Sequence, residues 1–236
     1  RGKLVQAAEA IGAVTITVVR GILSLAPIGV FALAVPLALR LGTTALGAVA
    51  AYVAVTAGIS LLTIALCYPL VALRGMSIGR FARALAPAQG IAVSARSSLA
   101  ALPALIDGAT DLGMSDRVTA FFLPFSASLY RLGGAVALPV GVLFIARLYD
   151  VPLGPTEFFT IGITSVLLTF SVPGIPGGSI LIMAPVLLAV GLPVEGIGIL
   201  LGVDTIPDMF RTTANVTGTM AAGVILETGD QAGPGS

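Results

Sequence analysis

Residues 46–73 form an apolar stretch without a single charged side chain. About 20 apolar residues suffice for a helix to cross the hydrocarbon core of a bilayer, so this stretch predicts a transmembrane span. The whole chain has the same character, since 57% of its 236 residues are hydrophobic and only 10% are charged. Soluble domains carry charge on about a quarter of their residues. The sequence therefore predicts a multi-pass membrane protein in contact with the lipid bilayer.

The residue types that are rare or missing narrow the function classes. The chain has no histidine and one cysteine, Cys67, which excludes His-dependent hydrolases, the usual zinc sites and a disulfide framework. We expect no enzyme, no bound metal and no organic cofactor. The 12 basic and 11 acidic residues leave a net charge of +1, so no basic face is available for nucleic acid.

Two parts of the chain are interrupted too early to be plain spans. Residues 78–106 consist of two half-length apolar pieces joined at 95–98, and residues 158–190 repeat this pattern around a Pro-Gly tip at 173–178. Neither piece reaches across about 30 Å of hydrocarbon, so each pair predicts a re-entrant hairpin. The hairpins enter on opposite sides of one intervening span. Such inverted, paired interruptions indicate the binding site of a transporter.

The sequence thus predicts an all-α membrane protein with three full transmembrane spans and two re-entrant helical hairpins in an inverted-repeat arrangement. The predicted segments are a span at 1–41, a span at 42–77, hairpin 1 at 78–113, an interrupted span at 114–150, hairpin 2 at 151–193, a last span at 194–227 and a disordered tail at 228–236. Lys and Arg favour the cytoplasmic side, and with a cytoplasmic N-terminus six of them lie inside and two outside. The six are Arg1, Lys3, Arg74, Arg80, Arg83 and Arg117, and the two are Arg40 and Arg147.

Four motifs carry a resemblance to a known family. They read APIGVFA at 26–32, ARSSLAALP at 95–103, VPGIPGG at 172–178 and GVDTIPDMFRTTANVTG at 202–218. The last is the most specific, because Asp208 and Arg211 lie on one face of a helix with Asn215 one turn further along it. Over nearly its whole length the chain resembles the dicarboxylate/amino acid:cation symporters, also called the glutamate transporter family.

The resemblance implies a secondary active transporter that carries an acidic amino acid by alternating access. It implies that Arg211 binds the side-chain carboxylate of the substrate and Asp208 its amino group. It also implies that Asn215 and the tip of hairpin 1 bind the main carboxylate of the substrate, while residues 174–176 close over the substrate as a gate. The implied substrate-binding set is Ser97, Ser98, Gly174, Ile175, Pro176, Asp208, Arg211, Thr212 and Asn215.

The sequence departs from the family at the cation sites. Sodium-coupled members have Asn-Met-Asp-Gly-Thr where this chain has YRLGG at 130–134, so Tyr130 and Leu132 replace an amide and a carboxylate ligand. The family's second sodium aspartate aligns with Thr219. Because hard cations need several oxygen ligands, we expect degenerate sodium sites. Our hypothesis is that Arg131 substitutes for sodium, which leaves transport that is proton-coupled, exchange-only or uncoupled.

Other interpretations of the buried charges remain open. Arg211 and Asp208 can form an ion pair that only fastens two helices, and Arg131 or Arg96 can balance Asp208 without touching substrate. A C4-dicarboxylate carrier is the nearest alternative function, with Asp208 paired to Arg131 or Arg96. An anion-conducting pore lined by Arg96, Arg131 and Arg211 is another.

The resemblance also bears on assembly and location. It implies a homotrimer in the cell (inner or plasma) membrane, with residues 1–41 belonging to the trimer scaffold and residues 42–227 to the substrate-carrying unit. The chain begins at Arg1 without an initiator methionine, so we expect that earlier sequence is missing.

Overall fold

The computed structural model describes residues 26–172 and 176–231, together with positions 2, 6, 10, 14, 17, 18 and 21. Every regular element in these ranges is helical, which confirms the all-α fold class. The helices are α1 (Ala26–Ala72), α2 (Ile78–Ala95), α3 (Ser98–Asp111), a π-helix (Arg117–Phe122), α4 (Leu123–Leu129), α5 (Leu132–Leu148), α6 (Pro155–Thr169), α7 (Gly178–Leu181), α8 (Ala184–Ala189), α9 (Gly196–Val203) and α10 (Thr205–Gln231).

Helix α1 is continuous where the sequence predicts a boundary between two spans at residues 42–44. Glycine and threonine in a helix interior each cost about 1 kcal/mol or less, which is too little to end a helix whose backbone groups have no other partners in an apolar setting. The helix has 47 residues and is about 70 Å long. Within it, Gly47–Ala72 is long and apolar enough to cross a membrane. Leu62, Leu66 and Leu70 lie exposed along this part, as expected of a surface that faces lipid.

Both predicted interruptions separate pairs of helices that pack against each other. Helices α2 and α3 are in contact, and α6 is in contact with α8. Arg96 ends α2 in a left-handed conformation with φ of 51°, and Ser97 caps α3 by accepting a hydrogen bond from the backbone N–H of Ala100. In the second pair, residues 173–175 of the predicted tip lie outside the described residues.

The predicted interruption at 130–134 is present between α4 and α5. Tyr130 has extended backbone angles, and α5 begins at Leu132. The range Arg117–Leu148 as a whole is the second described segment that is long and apolar enough to cross a membrane. Its first turn is a π-helix, which the sequence analysis does not predict.

The last predicted span is divided at Asp204 into α9 and α10. Proline at 207 explains the division, because its nitrogen cannot donate to the carbonyl of Val203 and its ring would clash with that carbonyl. The backbone N–H of Asp208 instead donates to the carbonyl of Asp204 at 2.8 Å, which starts the new helix there. Helix α10 then runs to Gln231, into the range predicted as a disordered tail.

Two apolar clusters hold the helices together. One joins α1, the α2–α3 pair and the second half of α10, and the other joins α5, α6, α8 and α9. The first includes Phe81, Leu85, Leu105, Met220 and Val224, and the second includes Leu138, Ile145, Met183, Leu187 and Leu200. Residues 204–215, which include three charged side chains, lie between the residues of α9 that belong to the second cluster and the residues of α10 that belong to the first.

Candidate functional site

A buried ion-pair cluster occupies the first two turns of α10. Arg211 is only 2% exposed, and its Nη2 donates to Asp204 Oδ2 at 2.7 Å and to Asp208 Oδ1 at 3.1 Å. The spacing of four and three residues puts all three side chains on one helix face. Each charge would be very costly to bury alone, so the two carboxylates and the guanidinium stabilise one another. The three side chains of Asp204, Asp208 and Arg211 together have a net charge of −1.

Tyr52 of α1 joins this cluster. Its side chain is buried, and it interacts electrostatically with Arg211 and Asp204. The sequence analysis did not select this residue. Its polar hydroxyl within a chargeless apolar stretch is the only local signal, and that signal does not identify a partner.

Arg131 is a second buried guanidinium. It is 3% exposed, precedes the first residue of α5, and interacts electrostatically with Asp208. Its Nε and Nη2 have no hydrogen-bond partner among the described residues. A Cβ placed on Gly134 would lie 3.3 Å from Arg131 Cβ and 3.5 Å from Thr169 Cγ2, so the interruption packs against the end of α6.

The start of α5 also lies directly against α10. The backbone N–H of Gly133 donates to Asn215 Oδ1 at 2.8 Å. A Cβ on Gly133 would lie 2.2 Å from the carbonyl oxygen of Arg211, so only glycine allows this approach. Asn215 therefore uses its amide oxygen to hold the two helices together.

The second helix pair reaches the cluster through its tip. Gly177 has φ of 73°, a conformation that favours glycine, and its backbone N–H donates to Asp208 Oδ2 at 3.2 Å. Both carboxylate oxygens of Asp208 are thus engaged, one by Arg211 and one by Gly177. Pro176 is half-buried, whereas Gly174 and Ile175 lie outside the described residues.

The first helix pair contributes a more distant charge and a buried hydroxyl. Arg96 is half-buried and interacts electrostatically with Asp204. The hydroxyl of Ser97 caps α3, while that of Ser98 is buried and lacks a hydrogen-bond partner in the described part of the chain. Thr212 is buried beside Arg211 in the sequence of α10. Of the predicted residues, the structure joins Asp208 and Arg211 directly.

The ion-paired motif of α10 lies against an interrupted helix and two helix pairs, as the resemblance implies. The family model of the Sodium:dicarboxylate symporter family matches residues 2–228. The chain belongs to this family. Like other members of a symporter family, it is a membrane protein and not an enzyme.

Individual transport proteins are similar to much of the chain. Human Excitatory amino acid transporter 3 is 37% identical over 149 residues, which cover 63% of this chain and 28% of that protein. The Proton/glutamate-aspartate symporter of Escherichia coli (strain K12) is 29% identical over 227 residues, 96% of this chain and 52% of the relative. The Proton/sodium-glutamate symport protein of Bacillus caldotenax is 29% identical over 206 residues, 87% of this chain and 49% of the relative. The chain spans about half the length of these bacterial symporters.

Two positions where this chain departs from the sodium motif, Leu132 and Thr219, contact apolar or uncharged groups. Leu132 packs against α10, since a Cβ on Gly218 would lie 2.6 Å from its Cδ2. Thr219 is buried, and its hydroxyl is 3.4 Å from the hydroxyl of Ser126. Neither position supplies a carboxylate. Within the described ranges, no three His, Cys, Asp or Glu side chains form a group that could hold a metal ion.

Proposed function

We propose that the complete protein is a secondary active transporter that carries an acidic amino acid across the cell membrane by alternating access. The observation that carries this proposal is the position of Asp208, which links Arg211 to the Gly177 amide of the second helix pair. A charged solute that binds Asp208 or Arg211 must change this contact. The named relatives support the substrate class, since they include a glutamate-aspartate symporter.

The buried ion pairs suggest how the solute enters. When the solute binds, its carboxylate pairs with Arg211 and its ammonium pairs with Asp208. These two pairs replace the internal ion pair between Arg211 and Asp208. In this arrangement the ammonium competes with the Gly177 N–H for Asp208. Ligand binding is then coupled to the tip at 173–178, whose residues 174–176 serve as the gate. Thr212 and the buried Ser98 hydroxyl complete the site, together with Ser97 and Asn215.

The charges around the site support transport that does not depend on sodium in the usual way. Asp204 and Asp208 interact with three guanidiniums, those of Arg96, Arg131 and Arg211. The five side chains, as a group, carry one positive charge. Aspartate or glutamate carries one negative charge and neutralises it. In this proposal Arg131 takes the role of the coupling cation, and transport is proton-coupled, exchange-only or uncoupled.

The proposed membrane arrangement has three full spans and two re-entrant hairpins in inverted repeats. The described segments Gly47–Ala72 and Arg117–Leu148 support two of the spans, and the packed pairs α2–α3 and α6–α8 support the hairpins. The proposal further includes a multi-pass location in the cell (inner or plasma) membrane and a homotrimer, as the family resemblance implies.

A C4-dicarboxylate carrier is the second candidate. It is favoured by the engagement of both Asp208 oxygens, since an ammonium must compete there with Arg211 and the Gly177 N–H. Succinate, however, carries two negative charges and would leave the group at −1. A proton taken up with the solute would remove this excess charge. Comparing aspartate with succinate therefore separates the two candidates.

Calorimetric titration of detergent-purified protein with L-aspartate, L-glutamate and succinate tests the proposal, in sodium and in choline buffers. We expect the amino acids to bind in both buffers, and Arg211→Ala to abolish binding. Arg80→Ala is the matched control, because Arg80 is exposed at the start of α2. Steep sodium dependence would refute the role of Arg131. If succinate binds tightly and neither amino acid binds, the dicarboxylate carrier is favoured. Uptake by proteoliposomes that contain the complete protein would then measure transport.

A further inference from the structure

The side edge of the Arg131 guanidinium is buried and unused. This edge consists of Nε–H and the adjacent Nη2 group, which together form the fork that grips a carboxylate through two parallel hydrogen bonds. Both nitrogens lack a hydrogen-bond partner within the described ranges, although the side chain is only 3% exposed. An ionised group that is buried without partners costs several kcal/mol, so a ligand that fills this edge gains affinity.

Asp208 does not form a hydrogen bond with this edge of Arg131. Asp208 interacts with it electrostatically, but the two carboxylate oxygens of Asp208 already accept hydrogen bonds from Arg211 and from the Gly177 amide. Arg211 differs from Arg131 at Nη2, which already donates to two carboxylates. Its Nε, like that of Arg131, has no hydrogen-bond partner among the described residues. A carboxylate that takes the Nε–Nη2 edge of Arg211 must compete with two aspartates for Nη2, whereas neither nitrogen of this edge is used in Arg131.

The surroundings of Arg131 also suit a small anion. The residue immediately precedes α5, a helix of 17 residues whose N-terminal end carries a partial positive charge. Gly134 has no side chain and lies close to Thr169 and Ser179. A Cβ at this position would be 3.8 Å from Ser179 Oγ. A buried open fork and a helix N-terminus therefore coincide at the interruption between α4 and α5.

We propose that the Nε–Nη2 edge of Arg131 is a carboxylate-binding site, separate from the ion-paired Arg211. It lies in the YRLGG segment at 130–134, where the sequence departs from the motif of sodium-coupled members. The carboxylate comes either from the transported solute, a reading that rests on the proposed function, or from a free carboxylate ion. The first source would make Arg131, rather than Arg211, the first group to grip an acidic amino acid.

Thermal unfolding of the detergent-purified protein, titrated with sodium formate against sodium chloride, tests this site. Formate is the smallest carboxylate and can use both nitrogens, whereas chloride cannot form the paired contact. We expect a saturable rise in Tm with formate only. Arg131→Lys keeps the charge but loses the fork, and should weaken formate binding about tenfold or more. Arg80→Lys, at an exposed position, should leave it unchanged.

A second variant keeps the test decisive if Arg131→Lys does not fold. Asp208→Asn removes the negative charge that faces Arg131, so it should tighten formate binding severalfold. The site is overturned if formate and chloride act alike, if Arg131→Lys binds formate as the wild type does, or if Asp208→Asn weakens formate binding.

Titration of L-aspartate in the presence of formate identifies the source of the carboxylate. Competition between them assigns the site to a carboxylate of the solute, and simultaneous binding assigns it to a free ion, both in support of the site. Aspartate binding without any formate effect would overturn this inference and leave the proposed function intact. Formate binding at Arg131 without binding of any acidic amino acid would support the site and contradict the proposed function.

Discussion

Replacing Gly133 by alanine should force α5 away from α10. The new Cβ would lie 2.2 Å from the carbonyl oxygen, 2.9 Å from the carbonyl carbon and 3.0 Å from the Cα of Arg211. All three are backbone atoms of a packed helix, so the helices must separate by about 1 Å to reach normal contact distances. Overpacking of this kind costs about 3 kcal/mol. Lengthening the hydrogen bond from the Gly133 N–H to Asn215 adds about 1 kcal/mol.

The direction of this effect is opposite to that of helix propensity. Alanine is the better helix former by about 1 kcal/mol, so an exposed glycine in a helix should gain stability from the same replacement. Gly162 provides the matched control, because it lies in α6 and a Cβ there meets nothing within 4 Å. We expect Gly133→Ala to lower Tm by about 10 °C and Gly162→Ala to leave it equal or slightly higher.

Circular dichroism at 222 nm during heating in detergent measures both variants, and calorimetric titration with L-aspartate measures the site. Gly133→Ala should also weaken binding, since it moves the start of α5, and with it Arg131, relative to Arg211. If Gly133→Ala keeps the wild-type Tm and affinity, the close contact between α5 and α10 does not exist and the site built on it is wrong.

Three further predictions concern single contacts. Asp204→Asn leaves Arg211 with one carboxylate partner, so we expect a loss of about 3 kcal/mol in unfolding free energy, visible in thermal unfolding. Asn215→Ala removes the acceptor of a buried amide and should cost about 1 to 3 kcal/mol, whereas Asn215→Asp, which keeps an acceptor oxygen, should lose less. The Oε2 of Glu227 accepts hydrogen bonds from Ser115 Oγ at 2.7 Å and Ser115 N at 2.9 Å. Glu227→Ala removes both contacts and should lower Tm by a few degrees, whereas Glu227→Gln, which keeps an acceptor oxygen, should lower it less, as measured by thermal unfolding.

Local patterns predicted the interruptions of the fold well. The breaks at 95–98 and 130–134 could be located because a hydrophobic run that ends at polar residues is a property of adjacent positions. The common face of Asp208 and Arg211 follows in the same way from helical periodicity. The continuity of α1 through residues 42–44 was missed, because the deciding energy is the lack of alternative backbone partners and not the propensity of the residues themselves.

Contacts between distant segments could not be predicted in this way. Nothing near Tyr52 in the sequence indicates that it lies beside Arg211, and nothing near Asp204 indicates that it makes a shorter ion pair than Asp208 does. The division of α9 from α10 at Asp204 has a local cause in Pro207. The pairing of the Asp204 carboxylate with Arg211 does not follow from that local cause. Asn215 was predicted as a substrate ligand, and its amide oxygen holds the Gly133 N–H.

The sequence alone determined that this chain is an all-helical membrane protein, that helices are interrupted at 95–98 and at 130–134, and which family it resembles, because hydropathy, periodicity and motif order are properties of neighbouring residues. Only the tertiary structure decided which charges neutralise one another. Asp208 has two carboxylate oxygens, and packing gives them to Arg211 and to the Gly177 amide. Among the described residues, Nε and Nη2 of Arg131 have no hydrogen-bond partner. Ion pairing in a buried site depends on which groups are brought within hydrogen-bond distance and not on how far apart they are in the chain.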